Sequence, residues 1–395
     1  MQISKRIEAM QFSPIRKLVP FAEAAKKQGK KVYHLNIGQP DIETPQEFFD
    51  AVKNFDAKVL EYAFSQGIPE LIDSFIEYYK LFDLNYEKDE ILITNGGSEA
   101  VFFALVATCD YGDEVLVPEP FYTNYNSFSK SAGAVVVPVA TSAENGFKLP
   151  DISVFESKIT PKTKAIMLSN PGNPTGACYD MADMEKIKNL AIKHDLYIIA
   201  DEVYKEMIYD GHKFTSFTQM EGLEERVILT DSISKRYSAC GARIGCVASK
   251  NKALMAQILK LCQGRLCVAT IEQIGAAALA RVAPSYMENV VKEYEKRRNV
   301  CFAALQEMEG VTCQKPNGAF YIMADLPVKD TDDFCEWLLK EFHVNNETVM
   351  FAPGSGFYAT EGKGKNQIRI SYVLEEESLK KAMNVLKEAL KAYNK

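Results

Sequence analysis

The chain is poor in the residues that build metal sites and disulfide frameworks. Among 395 residues there are four histidines and one tryptophan, and no two of the nine cysteines stand in a CxxC spacing. The histidines (His34, His194, His212 and His343) share no metal-ligand spacing, so they read as surface or core residues and no metal is expected. An odd number of unpaired cysteines argues against a disulfide scaffold and fits reduced thiols in the cytoplasm. Long apolar runs are missing too. The longest, about Ala100 to Cys109, falls far short of the ~20 residues a membrane span needs. The opening stretch MQISKRIEAMQFSPIRKLVPFAEAAKK carries charges throughout and has no apolar core of signal-peptide length. A basic excess is also absent. Lys and Arg number 46 against 53 Asp and Glu, a net charge of −7, which argues against a general nucleic-acid binder.

What is present is ordinary globular material, with 47% hydrophobic and 25% charged residues and a length that favours two domains over one core. From about residue 90 to 250 short apolar runs alternate with amphipathic stretches. The runs EILIT (90–94), EVLVP (114–118), AVVVPV (134–139), KAIMLS (164–169), LYIIA (196–200), RVILT (226–230) and IGCVAS (244–249) read as strands, and DMEKIKNLAIKHD (183–195) as one of the helices between them. This rhythm predicts an α/β fold with a mostly parallel sheet and helices on both faces. Ligands in such sheets bind beyond the carboxyl ends of the strands. Residues 284–310 read as one long helix ended by Gly310, leading to a smaller C-terminal α/β unit.

Six segments carry chemistry. In DSISKRYSACGARIG (231–245), Lys235 has Ser232 three residues before it and Arg243 eight after. A lysine between two phosphate-binding residue types suggests an amine that forms a Schiff base with a phosphorylated aldehyde, and pyridoxal 5'-phosphate is such an aldehyde. ITNGGSEAVFFALVATC (93–109) is a strand, a glycine turn and an apolar helix with Ser98 near its cap, an arrangement that favours a bound phosphate. In PEPFYTNY (118–125) a large aromatic follows a strand. SNPGNPTG (169–176) forces an ordered, non-helical loop. IIADEVY (198–204) is a hydrophobic strand ending in an acid, and GKNQIRISYV (364–373) places Arg369 in a strand-like alternation. Taken singly, each also reads as plain structure: a turn, a core aromatic, a capping Asp, a strand-edge ion pair.

Together, in this order and spacing, the six segments resemble the class I/II aminotransferases, enzymes of fold type I that use pyridoxal phosphate. The resemblance spans nearly the whole chain and includes LNIGQPD (35–41), PNGAFY (316–321) and APGSGF (352–357). It implies a seven-stranded sheet in a large cofactor domain plus a smaller α/β domain. The implied division is an arm over 1–13, part of the small domain over 14–44, the large domain over 45–283, and a linking helix with the small domain over 284–395. It also implies roles. Lys235 carries the cofactor and moves the proton; Asp201 sits on the pyridine nitrogen, Tyr204 and Asn173 on the 3-oxygen. Tyr122 and Val203 cover the two ring faces. Gly97, Ser98, Ser232 and Arg243 hold the phosphate, which Tyr62 reaches from a neighbouring subunit in a homodimer. Arg369 clamps the substrate α-carboxylate, with Asn173 and Gly38 beside it.

The chain departs from the pattern in places. Gln39 stands where many relatives have Glu, Cys240 where Thr or Pro is usual, and Ala242 where Trp or Leu often precedes the Arg. Ser98 replaces a Lys that helps one bacterial branch of aspartate aminotransferases bind the distal carboxylate. Arg265, in CQGRLCVATIEQ, is the substitute candidate, and an interface or surface ion pair is the competing reading. Arg236 has no family role and reads as a solvated charge. The expectation is transfer of an amino group from an L-amino acid, aspartate favoured, to a 2-oxo acid such as 2-oxoglutarate. An alanine or aromatic aminotransferase is the runner-up. A C–S lyase or carboxylate synthase on the same scaffold, or a non-catalytic regulator, are the readings from other classes.

Overall fold

In a computed structural model of the protein, residues 1–393 are described. Strand β1 (Lys31–His34) precedes the large sheet. That sheet is built from β2 (Ile91–Asn95), β3 (Glu114–Glu119), β4 (Val135–Ala140), β5 (Thr163–Ser169), β6 (Tyr197–Asp201), β7 (Val227–Ser232) and β8 (Ile244–Ala248). Each lies within two residues of a strand expected from the sequence. The order across the sheet is β2-β8-β7-β6-β5-β3-β4. Neighbours from β7 to β4 are parallel. Only β8 runs against its neighbours β7 and β2.

Side chains alternate across this sheet because strand residues point to opposite faces in turn. Val115, Val117, Ala165, Met167, Ile199, Ile228 and Val247 pack on one face with the helices Gly96–Thr108 and Lys252–Arg265. Leu116, Ile166, Leu168, Ile198 and Val227 face the other way, onto the helix Met181–Lys193. Further along that second face, Leu229, Ile244 and Cys246 meet the helix Pro69–Lys80. Strands covered on both faces must be apolar throughout, which explains runs such as IMLS and VILT.

A second core gathers residues 18–35, Tyr204, Met207, Tyr209 and the chain from Val290 onward. It contains β9 (Tyr321–Asp325), β10 (Glu347–Met350), β11 (Ala352–Pro353) and β12 (Gln367–Ser371). β1 pairs with β10 in parallel, and β12 lies between β11 and β9. The long helix runs over Ser285–Gln306, four residues short of Gly310, which turns the chain with φ +75°. All nine cysteines are free thiols. Among the described residues no helix is long and apolar enough to cross a membrane, and no cluster of His, Cys, Asp and Glu could hold a metal ion.

The sheet's tightest point lies at Gly245 in β8. A Cβ there would sit 2.5 Å from the Asp231 carbonyl oxygen, 2.6 Å from the Gly96 carbonyl carbon and 2.7 Å from the Gly97 amide nitrogen. All three are backbone atoms and cannot swing aside. Gly241, nearby, meets nothing within 4 Å. Gly245→Ala should therefore cost about 1–3 kcal/mol by overpacking and lower Tm, while Gly241→Ala leaves Tm within error in the same calorimetric scan. Equal Tm values for the two variants would contradict this reading.

Candidate active site

Five of the six chemistry-bearing segments converge on one edge of the large sheet because they follow the carboxyl ends of parallel strands, and the sixth, with Arg369, lies on β12 of the three-stranded sheet. Asn95 ends β2, Glu119 ends β3, Ser169 ends β5, Asp201 ends β6 and Ser232 ends β7. β8 is reversed, so its start, directly after Arg243, lies at that same edge. The single antiparallel strand thus delivers Arg243 to a place that a parallel strand would have reserved for its other end.

One end of the cleft is an anion site in the making. The helix Gly96–Thr108 begins there, and its first N–H groups lack partners within the helix. Gly96 takes φ +74°, and a Cβ on it would lie 2.6 Å from the Arg243 guanidinium. Gly97 passes beside Ser232, whose Oγ donates to the Ile244 carbonyl at 2.8 Å and accepts from the Ser234 amide at 3.1 Å. Ser98 lies in the same first turn. The Arg243 guanidinium donates to the Cys240 carbonyl at 3.1 Å.

Lys235 stands at the middle of the cleft, on the short helix Ile233–Arg236 that caps β7. Its Nζ donates to the Gly38 carbonyl at 2.7 Å and lies 3.6 Å from Cys240 Sγ. Burial pushes its pKa down, and the charges of Arg369 and Arg243 act the same way. Asp201 accepts from the Tyr125 hydroxyl at 2.6 Å and, more weakly, from the Val203 amide at 3.3 Å. Burial pushes this carboxyl up to about 6, against those two hydrogen bonds. Tyr122 packs edge-to-face on Tyr125, ring centroids 5.6 Å apart, and its Oη accepts from Asn124 at 2.9 Å. The Tyr204 and Tyr321 hydroxyls are 2.7 Å apart. Tyr321 lies so close to Gly38 that a Cβ there would be 1.9 Å from its hydroxyl.

Arg369, on β12, closes the far end. It is 1% exposed, donates to Asn173 Oδ1 at 2.9 Å and to the Asn36 carbonyl at 2.5 Å, and lies over the Tyr321 ring at 4.5 Å. Its Nε has no hydrogen-bond partner, and burial without an acid beside it lowers its pKa.

Three residues named from the sequence lie elsewhere. Tyr62 is 82% exposed on a loop, away from these contacts within its own chain. Arg265 donates to the Ile93 carbonyl at 3.1 Å and lies 3.5 Å from Glu99, an ion pair inside its own chain. Arg236 is a correction. It is 2% exposed, not solvated, and its Nη1 donates to both oxygens of Asp231 at 3.0 and 2.9 Å. Adjacent residues on a helical turn point about 100° apart, so with Lys235 facing the cleft Arg236 turns under the helix Pro69–Lys80. Tyr125, Tyr321 and Asn36 are contacts that motif reading passed over. The aromatic spacing Phe121, Tyr122, Tyr125 at the start of a helix was the available signal for the first.

The charges here do not pair with one another. Asp201 belongs to no ion pair among the described residues, and Arg243 and Arg369 spend their donors on carbonyl and amide oxygens. A ligand that brings a protonated ring nitrogen to Asp201, an anion to Arg243, a second carboxylate to Arg369 and a carbonyl to Lys235 would satisfy all four. Pyridoxal phosphate with an amino-acid substrate has those groups in one molecule each, and the residues fit it.

Fold and site together define an α/β protein with a strand-end cleft lined by mutually unpaired charges. The sequence model for aminotransferases of class I and II matches residues 30–386, and the chain belongs to that family. The chain is 30% identical to an aspartate aminotransferase of Rhizobium meliloti, over 98% of this chain and 96% of that protein. It is 34% identical to aromatic-amino-acid aminotransferase 2 of Thermococcus litoralis, over 99% of each. The structure of Thermus thermophilus aspartate aminotransferase with maleate superposes with a TM-score of 0.89 at 29% identity, covering 98% of this chain and 100% of that one.

The raised Asp201 pKa carries a signed consequence for the protein without cofactor. Stability from this group is complete below the unfolded value of 3.8 and is lost as pH rises through about 6. Asp201→Asn should therefore raise the Tm of the cofactor-free protein at about pH 8, raise it less at about pH 5, and leave it unchanged once both states are protonated. A gain that does not vary with pH would contradict the burial argument.

Proposed function

We propose that this aminotransferase works with pyridoxal 5'-phosphate held by Lys235, and that aspartate is its amino donor and 2-oxoglutarate its acceptor in a ping-pong cycle. The observation that carries the reading is the set of mutually unpaired charges on Lys235, Asp201, Arg243 and Arg369 along one cleft. When bound, the cofactor supplies an electron-poor ring that takes up the electron pair left as the substrate loses its Cα proton. Lys235 Nζ would take up that proton and pass it on. Its lowered pKa leaves more of the amine neutral and able to act as a base. Asp201 keeps the ring nitrogen protonated, and Asn173 and Tyr204 hold the 3-oxygen. Tyr122 and Val203 sandwich the ring, while Gly97, Ser98, Ser232 and Arg243 bind the phosphate. Arg369 forks onto the α-carboxylate with Asn173 alongside, and Gly38 leaves room for it.

The same reading extends to assembly and setting. Tyr62 lies among the exposed side chains Val59, Leu60 and Phe64, with Leu266 also exposed, a surface suited to a second copy of the chain. In a homodimer Tyr62 reaches the neighbouring subunit's phosphate. Nine free thiols suit the cytoplasm. Residues 14–44 and 284–395, of which 394–395 lie outside the described residues, make up the smaller domain, and 45–283 the larger.

A half-reaction screen tests the function. The cofactor-loaded protein is mixed with one amino acid at a time and loss of the bound-cofactor absorbance is followed. Aspartate should discharge it fastest, and 2-oxoglutarate should restore it. Release of an elimination product with no need for an oxo acid would mark a lyase instead. Lys235→Ala should abolish the bound-cofactor absorbance in the absence of added amine, and its retention would overturn the assignment.

Donor choice is tested at Arg265. If this side chain leaves Glu99 to read a distal carboxylate, Arg265→Ala raises KM for aspartate at least about 10-fold, the loss of one charge-assisted contact, and leaves KM for alanine unchanged. Equal changes for both donors would confine Arg265 to its pair with Glu99.

A further inference from the structure

Behind the cleft lies a buried charge cluster that none of the roles above uses. The carboxylate of Asp231, the penultimate residue of β7, accepts from Arg236 twice, from Lys205 Nζ at 2.8 Å, from the Ser232 amide at 2.7 Å and from the Tyr79 hydroxyl at 3.1 Å. Lys205 and Asp231 side chains are 0% exposed, and Arg236 is 2% exposed. Lys205 Nζ lies 4.4 Å from the Tyr79 ring centre and the Arg236 guanidinium 3.9 Å from that of Tyr78. Glu206 is 3.8 Å from Arg236, and its other partner is the Tyr78 hydroxyl.

The location of the cluster matters more than its size. Asp231 and Arg236 bracket the turn Ile233–Arg236, so their ion pair closes the base of the loop that holds out Lys235. Lys205 directly follows the segment Asp201–Tyr204. One carboxylate therefore fastens two neighbouring strand-end loops, one carrying the amine and the other carrying the ring-nitrogen acid. Stability alone would not call for ions here, because well-packed apolar side chains serve as well as a buried ion pair or better. What ions add is direction. Arg236 Nη1 reaches both Asp231 oxygens at once in one orientation only, while its Nε has no partner.

We propose that Asp231, Arg236 and Lys205 are positioning residues, which set the geometry of Lys235 relative to Asp201 by tying both loops to a single buried carboxylate. The proposal rests on the reading of Lys235 as the cofactor-bearing residue and adds a means by which its aim is held.

The test uses the full-length holoenzyme with Arg236→Met, Arg236→Lys and Lys205→Met, and Arg298→Met as a control. Arg298 is equally buried and paired with Asp210, on the helix Ser285–Gln306 away from the cleft. Two readouts report position rather than folding: the pH midpoint of the bound-cofactor absorbance, and the half-reaction rate at saturating donor. Arg236→Met should displace the midpoint by about half a pH unit or more and slow the half-reaction about 10–100-fold, the scale of a small misplacement of reacting groups. Arg236→Lys should recover part of both, and Lys205→Met should shift them in the same way. Arg298→Met should lower Tm with no change in midpoint. Folded Arg236→Met with wild-type midpoint and rate would overturn the proposal, as would an equal midpoint shift in Arg298→Met. Failure of all three cluster variants to fold, with Arg298→Met folded, would also count against it, since the cluster would then serve folding. Failure of the underlying reading is separate: wild-type absorbance would survive Lys235→Ala.

Discussion

A carboxylate at the end of a buried parallel strand, with hydroxyl and amide hydrogen bonds but no cation, is the interaction on which the rest of the cleft depends. Asp201 is held by Tyr125 and Val203, and burial raises its pKa to about 6. Left alone it is an expense to the fold above that pH. Beside a protonated ring nitrogen the same burial becomes an advantage, because an opposite charge in a poorly solvated site is stabilised strongly. The buried Arg369 follows the same logic, with its lowered pKa and an Nε that finds no partner. The cleft is destabilised locally so that a ligand of the right charge pattern relieves it.

This arrangement needs walls that do not move. The large sheet supplies them through strands covered on both faces. β8 runs backwards and brings Arg243 to the carboxyl edge, next to the start of the helix Gly96–Thr108. Gly245 keeps that crossing thin enough for the Gly96–Gly97 turn to lie against it. The second core provides the opposite wall, with Arg369 on β12 and Tyr321 on β9 in adjacent strands. Arg369 of this second core meets Asn173, which follows β5 of the large sheet, across the cleft at 2.9 Å.

Much of this was legible along the chain. The seven strands lie within two residues of their expected places, because branched and aliphatic runs between turn residues have few alternatives. Glycine and proline punctuation located the turn at Gly96–Gly97 and the 169–176 loop, and Lys235, Asp201, Asn173 and Arg369 lie along one cleft. The misreading of Arg236 is instructive. A charged residue beside Lys235 looks like a surface charge until one knows that the helix Pro69–Lys80, far earlier in the chain, covers it. The Tyr204–Tyr321 contact joins residues 117 positions apart, and no local pattern announces it.

The sequence by itself determined the element types, the strand-end placement of each motif and the family chemistry, since these depend on periodicity, backbone allowances and side-chain functional groups that neighbouring residues supply. Tertiary structure decided which charges are left without partners and which are neutralised. Asp201 and Asp231 are both aspartates at or near strand ends, on strands consecutive in sequence and adjacent in the sheet. One meets a tyrosine and an amide and stays unpaired; the other meets Arg236 and Lys205 and is fully compensated. Nothing within either strand distinguishes them. The difference is the loops and helices folded over each one, and the dielectric they create around it.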